Sequence, residues 1–62
     1  MNYKYDIEYK NEYNEIITES FSKLPDARIL LNKINKSADA FVMRTWRYLG
    51  DKYLGTIPPR IR

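Results

Sequence analysis

The stretch that decides the fold is residues 41–57, Phe-Val-Met-Arg-Thr-Trp-Arg-Tyr-Leu-Gly-Asp-Lys-Tyr-Leu-Gly-Thr-Ile. Two runs rich in β-branched and aromatic residues flank the dipeptide Gly50-Asp51. A glycine in such a pair adopts a positive φ without a Cβ clash, and two-residue β-hairpin turns require that conformation. The sequence therefore predicts a hairpin whose strands span residues 40–49 and 52–57.

Counting outward from the turn predicts the register of this hairpin and the two faces of its strands. The expected cross-strand pairs are Leu49 with Lys52, Tyr48 with Tyr53 and Trp46 with Gly55, the last being a stabilising arrangement. Alternation groups one face as Val42, Arg44, Trp46, Tyr48, Tyr53 and Ile57. It groups the other as Phe41, Met43, Thr45, Arg47, Leu49 and Leu54. Both faces are partly apolar, and the sequence leaves open which of them packs against the rest of the protein.

Upstream of the hairpin, the chain shows one strand pattern and one helix pattern. Residues 3–9 alternate strictly, with three tyrosines and Ile7 on one side, which predicts a half-buried strand followed by a loop over residues 10–14. Residues 25–36 form the best helix, because Pro25 and Asp26 suit a first turn. The helix stripe is Ala27, Leu30, Leu31 and Ile34.

Residues 15–21 are ambiguous between strand and helix. Their β-branched content favours a strand, and strand 1 needs a neighbour, so a second strand is the preferred assignment. The predicted fold is a small two-layer α+β domain of order β-β-α-β-β, with one helix packed on a mostly antiparallel sheet. The alternative is a three-helix bundle with a short N-terminal strand, in which residues 11–24 and 37–49 are helical. Either fold makes residues 1–62 a single domain, and residues 58–62 are expected to form a flexible tail.

Composition argues against several classes of function. The chain has 62 residues, no cysteine, no histidine and only two glycines. It thus lacks the commonest general base, the best nucleophile, the usual zinc ligands and a phosphate-cradling loop. The carboxylate pairs, Asp6 with Glu8 and Glu15 with Glu19, fit a solvated face better than an active site. We expect a non-enzyme with no cofactor, no metal site and no small-molecule substrate. The absence of a long apolar run or signal-peptide pattern predicts no membrane partner and a cytoplasmic location.

The charge is distributed unevenly along the chain. Residues 1–22 carry two lysines against five carboxylates, a net of −3, whereas residues 41–62 carry a net of +4. Such asymmetry is compatible with nucleic-acid contact. The preferred explanation is that the two halves of the chain lie side by side and neutralise each other's charge.

Aromatic and basic residues of the hairpin are the main functional candidates. The predicted partner-binding residues are Arg44, Trp46, Arg47, Tyr48, Lys52 and Tyr53. Trp, Tyr and Arg are enriched at the energetic centres of protein interfaces, and the same residue types stack on unpaired bases. One helix covers only one sheet face, so the other face meets water, a second copy or a partner.

The sequence therefore predicts a small interaction module, such as an adaptor, an inhibitor or a regulatory accessory protein. It binds a protein partner or forms a homodimer through the hairpin surface; the alternative is weak binding of single-stranded nucleic acid. If the hairpin is only self-stabilising, Trp46 and the tyrosines serve structure alone. Small chains of this composition are common among bacteriophage and mobile-element accessory proteins, an analogy of size and composition.

Overall fold

The computed structural model describes residues 2–57, and their order of elements is β-β-α-β-β. The elements are β1 (Tyr3–Lys10), β2 (Ile16–Phe21), α1 (Leu24–Asn35), β3 (Phe41–Leu49) and β4 (Lys52–Gly55). The predicted fold is confirmed, and the three-helix alternative is wrong because residues 16–21 and 41–49 are strands. The expected tail, residues 58–62, lies outside the described residues.

The four strands form one sheet in the order β2-β1-β3-β4, and each neighbouring pair is antiparallel. The strand with the alternating tyrosines, β1, therefore lies inside the sheet. Since β2 and β3 both run opposite to β1, they run in the same direction. α1 connects them by crossing one face of the sheet and contacts β1, β2 and β3.

A tight loop joins β1 to β2. The Asn11 side-chain oxygen accepts hydrogen bonds from the backbone N–H groups of Tyr13 and Glu15, at 2.9 and 3.0 Å. Asn14 has a φ of 68°, a left-handed conformation that asparagine tolerates better than most residues. These local contacts set the register that pairs Lys10 with Ile16. Residues 16–21, which the sequence left ambiguous, form a strand because this loop places them beside β1.

The helix forms where proline and periodicity predicted it. Pro25 lies in the first turn, where its missing N–H costs no helical hydrogen bond, and Asp26 follows where the helix dipole favours an acid. Ala27 and Ile34 are buried, and Leu24, Leu30 and Leu31 pack around them. The helix ends at Asn35, and the Lys36 N–H still donates to the Asn32 carbonyl.

The core occupies the layer between α1 and the sheet. Its buried members are Tyr5, Ile7, Ala27, Ile34 and Ile57, with Ile7 fully buried. Tyr5 and Ile7 come from one side of β1, as its alternation predicted. The prediction that Ile57 shares the face of Trp46 is wrong: Ile57 is buried in this core, and its N–H donates to the Thr45 hydroxyl at 3.0 Å.

Two register shifts alter the predicted faces of the hairpin. The first lies opposite Glu8 and Tyr9, where Arg44 pairs with Glu8 but Val42 pairs with Tyr9. One extra residue in β3 therefore turns Val42 toward the core. Phe41 and Met43, which strict alternation places on the same face as Thr45 and Arg47, are 56% and 44% exposed.

The second shift lies between Arg47 and Tyr48. It places Arg47 opposite Gly55, so the predicted pairing of Trp46 with Gly55 is wrong. Gly55 adopts a φ of 110°, which only glycine adopts readily, and this permits the irregularity. The pairs next to the turn, Tyr48 with Tyr53 and Leu49 with Lys52, are as predicted.

Candidate interaction surface

The sheet face turned away from α1, here called the open face, is built by alternate residues of β1 and β3. The residues of β1 that alternate with its core tyrosines carry charge, and each pairs with a residue of β3 on this face. These pairs are Lys4 with Tyr48, Asp6 with Trp46, Glu8 with Arg44 and Lys10 with Phe41. β4 adds Tyr53 beside Tyr48. The open face thus combines a charged row from β1 with an aromatic row from β3 and β4.

Four side chains form the aromatic–arginine patch: Arg44, Trp46, Tyr48 and Tyr53. The Arg44 guanidinium carbon lies 5.5 Å from the centroid of the Trp46 ring, within cation–π distance. The rings of Tyr48 and Tyr53 lie 5.6 Å apart at 58°, a tilted arrangement that aromatic pairs favour. These contacts hold large, rigid side chains on the open face.

Carboxylates lie beside the patch and partly neutralise its cation. Arg44 Nε lies 3.2 Å from a Glu8 carboxylate oxygen. Asp6 accepts a hydrogen bond from the Ser20 hydroxyl at 2.7 Å and lies 3.7 Å from the Lys4 ammonium. The contact between Glu8 and Arg44 therefore joins the acidic strand β1 to the basic strand β3.

A shallow depression opens at the end of this face nearest the β3–β4 turn. Its volume is about 330 Å³, and its lining residues are Lys4, Asp6, Tyr48, Gly50 and Asp51. There the Gly50 N–H donates to the Asn2 carbonyl at 3.0 Å and extends the β1–β3 ladder by one pair. Its lining thus combines one aromatic ring with an ammonium and two carboxylates.

The six predicted partner-binding residues do not all share this face. Arg44, Trp46, Tyr48 and Tyr53 lie together on it, which follows from their register. Arg47 pairs with the core residue Tyr5 and so lies on the helix side, with its Nε buried and without a hydrogen-bond partner. Lys52 pairs with Leu49 on that same side.

Sequence reasoning missed the contribution of β1 to the open face. The signal was present, because Lys4, Asp6 and Glu8 alternate with the tyrosines and had to face away from the core. What the sequence did not show is that β3 pairs with β1, which brings those charges against the patch. The hairpin alone does not predict this neighbour.

The described residues show one perturbed titratable group. The Tyr9 hydroxyl donates a hydrogen bond to the Glu19 carboxylate. This hydrogen bond, with burial and the nearby negative charge, raises the pKa of Tyr9. The group lies on the helix side, away from the patch.

Residues 2–57 contain neither a metal-binding cluster nor a membrane-spanning helix. No group of three or more His, Cys, Asp or Glu side chains is arranged to hold a metal ion there. In that same range, the helix is too short and too polar to cross a membrane.

Comparison with protein-family models, with curated proteins and with solved structures finds no significant match to this chain.

Proposed function

We propose that the protein is a non-enzymatic interaction module that binds a protein partner through the aromatic–arginine patch. The observation that carries this proposal is the position of Trp46, Tyr48 and Tyr53 on the sheet face that α1 does not cover. Tyr53 is 55% exposed. Large aromatic side chains beside an arginine are the composition of interface centres, whose truncation commonly costs about 2 kcal/mol or more.

The charges around the patch favour a protein over a nucleic acid. A phosphate backbone brings closely spaced negative charge, and affinity for it depends on cations that remain free to neutralise it. Here Glu8 pairs with Arg44, and Asp6 lies directly opposite Trp46. Carboxylates beside the patch repel a phosphate backbone, whereas a protein partner can place polar groups opposite both signs.

The expected partner surface is apolar at its centre and carries a carboxylate at its margin. The apolar centre covers Trp46 and the tyrosine pair. The carboxylate meets Arg44, whose guanidinium has five N–H donors and whose Nε lies 3.2 Å from a Glu8 carboxylate oxygen. Since the Arg44 side chain is 65% exposed, a second carboxylate can approach it from solvent.

A display selection tests the proposal. A library of random peptides replaces the unknown protein partner. The library is selected on the folded wild-type protein, and enriched peptides are then titrated while the emission of Trp46, the single tryptophan, is recorded. We expect peptides rich in apolar residues with an acidic residue. Because Trp46→Ala removes the fluorophore, its binding is measured with a labelled peptide. The substitution should weaken binding at least about 30-fold, which corresponds to about 2 kcal/mol. Ile29→Ala, an exposed change on α1 and therefore on the opposite side of the sheet, is the control and should leave affinity unchanged.

A parallel titration with single-stranded oligonucleotides tests the nucleic-acid alternative. It is done at about 50 mM salt, a condition that exaggerates surface electrostatics. Micromolar binding that falls steeply with salt and quenches Trp46 would favour the nucleic-acid alternative. Peptides that bind equally well to Trp46→Ala would also overturn the proposal, because the patch would then not be the site.

A further inference from the structure

The two outer strands of the sheet differ in how well their free edges are protected. β4 has four residues, includes Lys52 and joins β3 through a register shift. Short length, lysine and a bulge are devices that keep a sheet edge from pairing with another chain. β2 has six residues, pairs with β1 without a register shift and contains neither lysine nor proline. The β2 edge is therefore the one that can accept another strand.

Hydrogen bonds at the β1–β2 loop indicate which backbone groups of β2 point away from the sheet. The Asn11 N–H donates to the Glu15 carbonyl at 3.0 Å, so the Glu15 backbone faces β1. Backbone direction alternates from residue to residue along an antiparallel ladder. Within β2, the residues whose N–H and C=O groups face outward are therefore Ile16, Thr18 and Ser20.

We propose that this edge binds a second copy of the chain, with β2 antiparallel to β2 and a two-fold axis at Thr18. In this register Thr18 pairs with Thr18 of the second copy, and Ile16 pairs with Ser20. Each outward N–H and C=O of β2 then meets a partner group, so the edge is fully hydrogen-bonded. The interface uses the same surface of both copies and closes on itself.

Side chains select this register over its neighbours. With the axis at Thr18, Glu19 lies opposite Ile17 of the second copy. An axis at Glu19 would oppose two Glu19 carboxylates, and an axis at Ile17 would oppose Glu15 and Glu19, both unfavourable. Threonine pairs are favourable across strands, and Ile16, which is 58% exposed, gains a cross-strand neighbour.

Glu19 is compatible with the dimer because its own chain already engages it. Its carboxylate accepts the Tyr9 hydroxyl from the adjacent strand β1, which holds it toward β1 and away from the free edge. An inward-pointing charge on an edge strand otherwise opposes pairing. The Tyr9 hydroxyl thus supplies a partner for the one charge that the interface encloses.

The dimer surface is separate from the aromatic–arginine patch. β2 and β3 lie on opposite sides of β1, so Trp46 is not at the β2 edge. Dimerisation is therefore expected to leave the emission of Trp46 unchanged, and this inference does not depend on the proposed function.

Charge substitution at the two-fold axis tests the pairing. Sedimentation velocity is measured from about 10 μM to about 1 mM, since an edge contact is smaller than a standard interface. Thr18→Lys and Thr18→Glu each place like charges opposite each other, and each should raise the dissociation constant at least about tenfold at low salt. An equimolar mixture of the two variants should restore the dimer. Thr56→Lys, a change at an exposed threonine beyond β4, is the control and should dimerise as the wild type does.

Amide exchange supplies a second readout within the strand. The N–H groups of Ile16, Thr18 and Ser20 should gain protection as the wild-type concentration rises, while those of Ile17 and Glu19 are protected at all concentrations. A wild type that stays monomeric at about 1 mM would overturn the proposal. So would Thr18→Lys dimerising as the wild type does, or a mixture that fails to restore the dimer.

Discussion

Tyr9 and Glu19 show how a single hydrogen bond links two strands on the helix side of the sheet. The Tyr9 hydroxyl on β1 donates to the Glu19 carboxylate on β2, although register pairs Tyr9 with Ile17 and Glu19 with Ile7. This diagonal contact gives a partly buried carboxylate a partner. It also raises the pKa of Tyr9, because ionising the hydroxyl would break the bond and place two negative charges together.

The raised pKa of Tyr9 predicts a loss of stability at alkaline pH. Because the folded protein holds this proton more tightly than the unfolded chain does, the stabilisation is complete below the ordinary tyrosine pKa of about 10. It is lost as the pH rises through the raised pKa. Urea unfolding across this range should show a steeper alkaline decline for the wild type than for Tyr9→Phe. In Glu19→Gln, an NMR titration of the Tyr9 ring should show a lower pKa than in the wild type; an equal or higher value would contradict this account.

At the scale of elements, the β3–β4 hairpin depends on glycines at two positions. Gly50, with a φ of 61°, permits the two-residue turn, and its place in the Gly50-Asp51 pair made it recognisable. Gly55 permits a register shift between β3 and β4 that no local sequence pattern predicted. A Cβ added at Gly55 would meet nothing within 4 Å, so space does not explain why glycine is suited there. Its φ of 110° does.

Gly55→Ala separates backbone strain from crowding. We expect it to lower the free energy of unfolding by about 1–3 kcal/mol, because alanine must adopt a conformation that residues with a Cβ rarely populate. Chemical denaturation measures the effect. The neighbouring exposed substitution Thr56→Ala should stay within about 0.5 kcal/mol of the wild type. A Gly55→Ala variant as stable as the wild type would mean that the hairpin relaxes to a regular register.

At the scale of the whole molecule, one core joins α1 to the sheet and carries the stability of the described chain. Ile7 lies at its centre, fully buried on an inner strand, whereas Ile29 on α1 is 67% exposed. The same chemical change at these positions should therefore have different consequences.

Ile7→Val should lower the free energy of unfolding by about 0.5–1.5 kcal/mol, and Ile29→Val should change it by less than about 0.5 kcal/mol. Because there is one core, the emission of Trp46 and far-UV circular dichroism of α1 should report the same loss. Equal effects of the two substitutions, or transitions that separate between the two probes, would argue against a single cooperative core.

Local patterns in the sequence determined four of the five elements, all except β2, and most of the core. Alternation in residues 3–9 identified β1 and its buried side, the stripe from Ala27 to Ile34 identified α1, and Gly50-Asp51 identified the hairpin. These features depend on neighbours within a few residues, so the sequence displays them directly.

Tertiary structure alone decided which face of the hairpin is open and what lies beside it. Val42 and Ile57 are in the core layer, and Phe41 is exposed, because two register shifts break strict alternation. The placement of Arg44 against Glu8 depends on β3 pairing with β1, a contact between distant parts of the chain. Such pairings are selected by the packing of the whole sheet under the helix, and no short segment encodes that energy by itself.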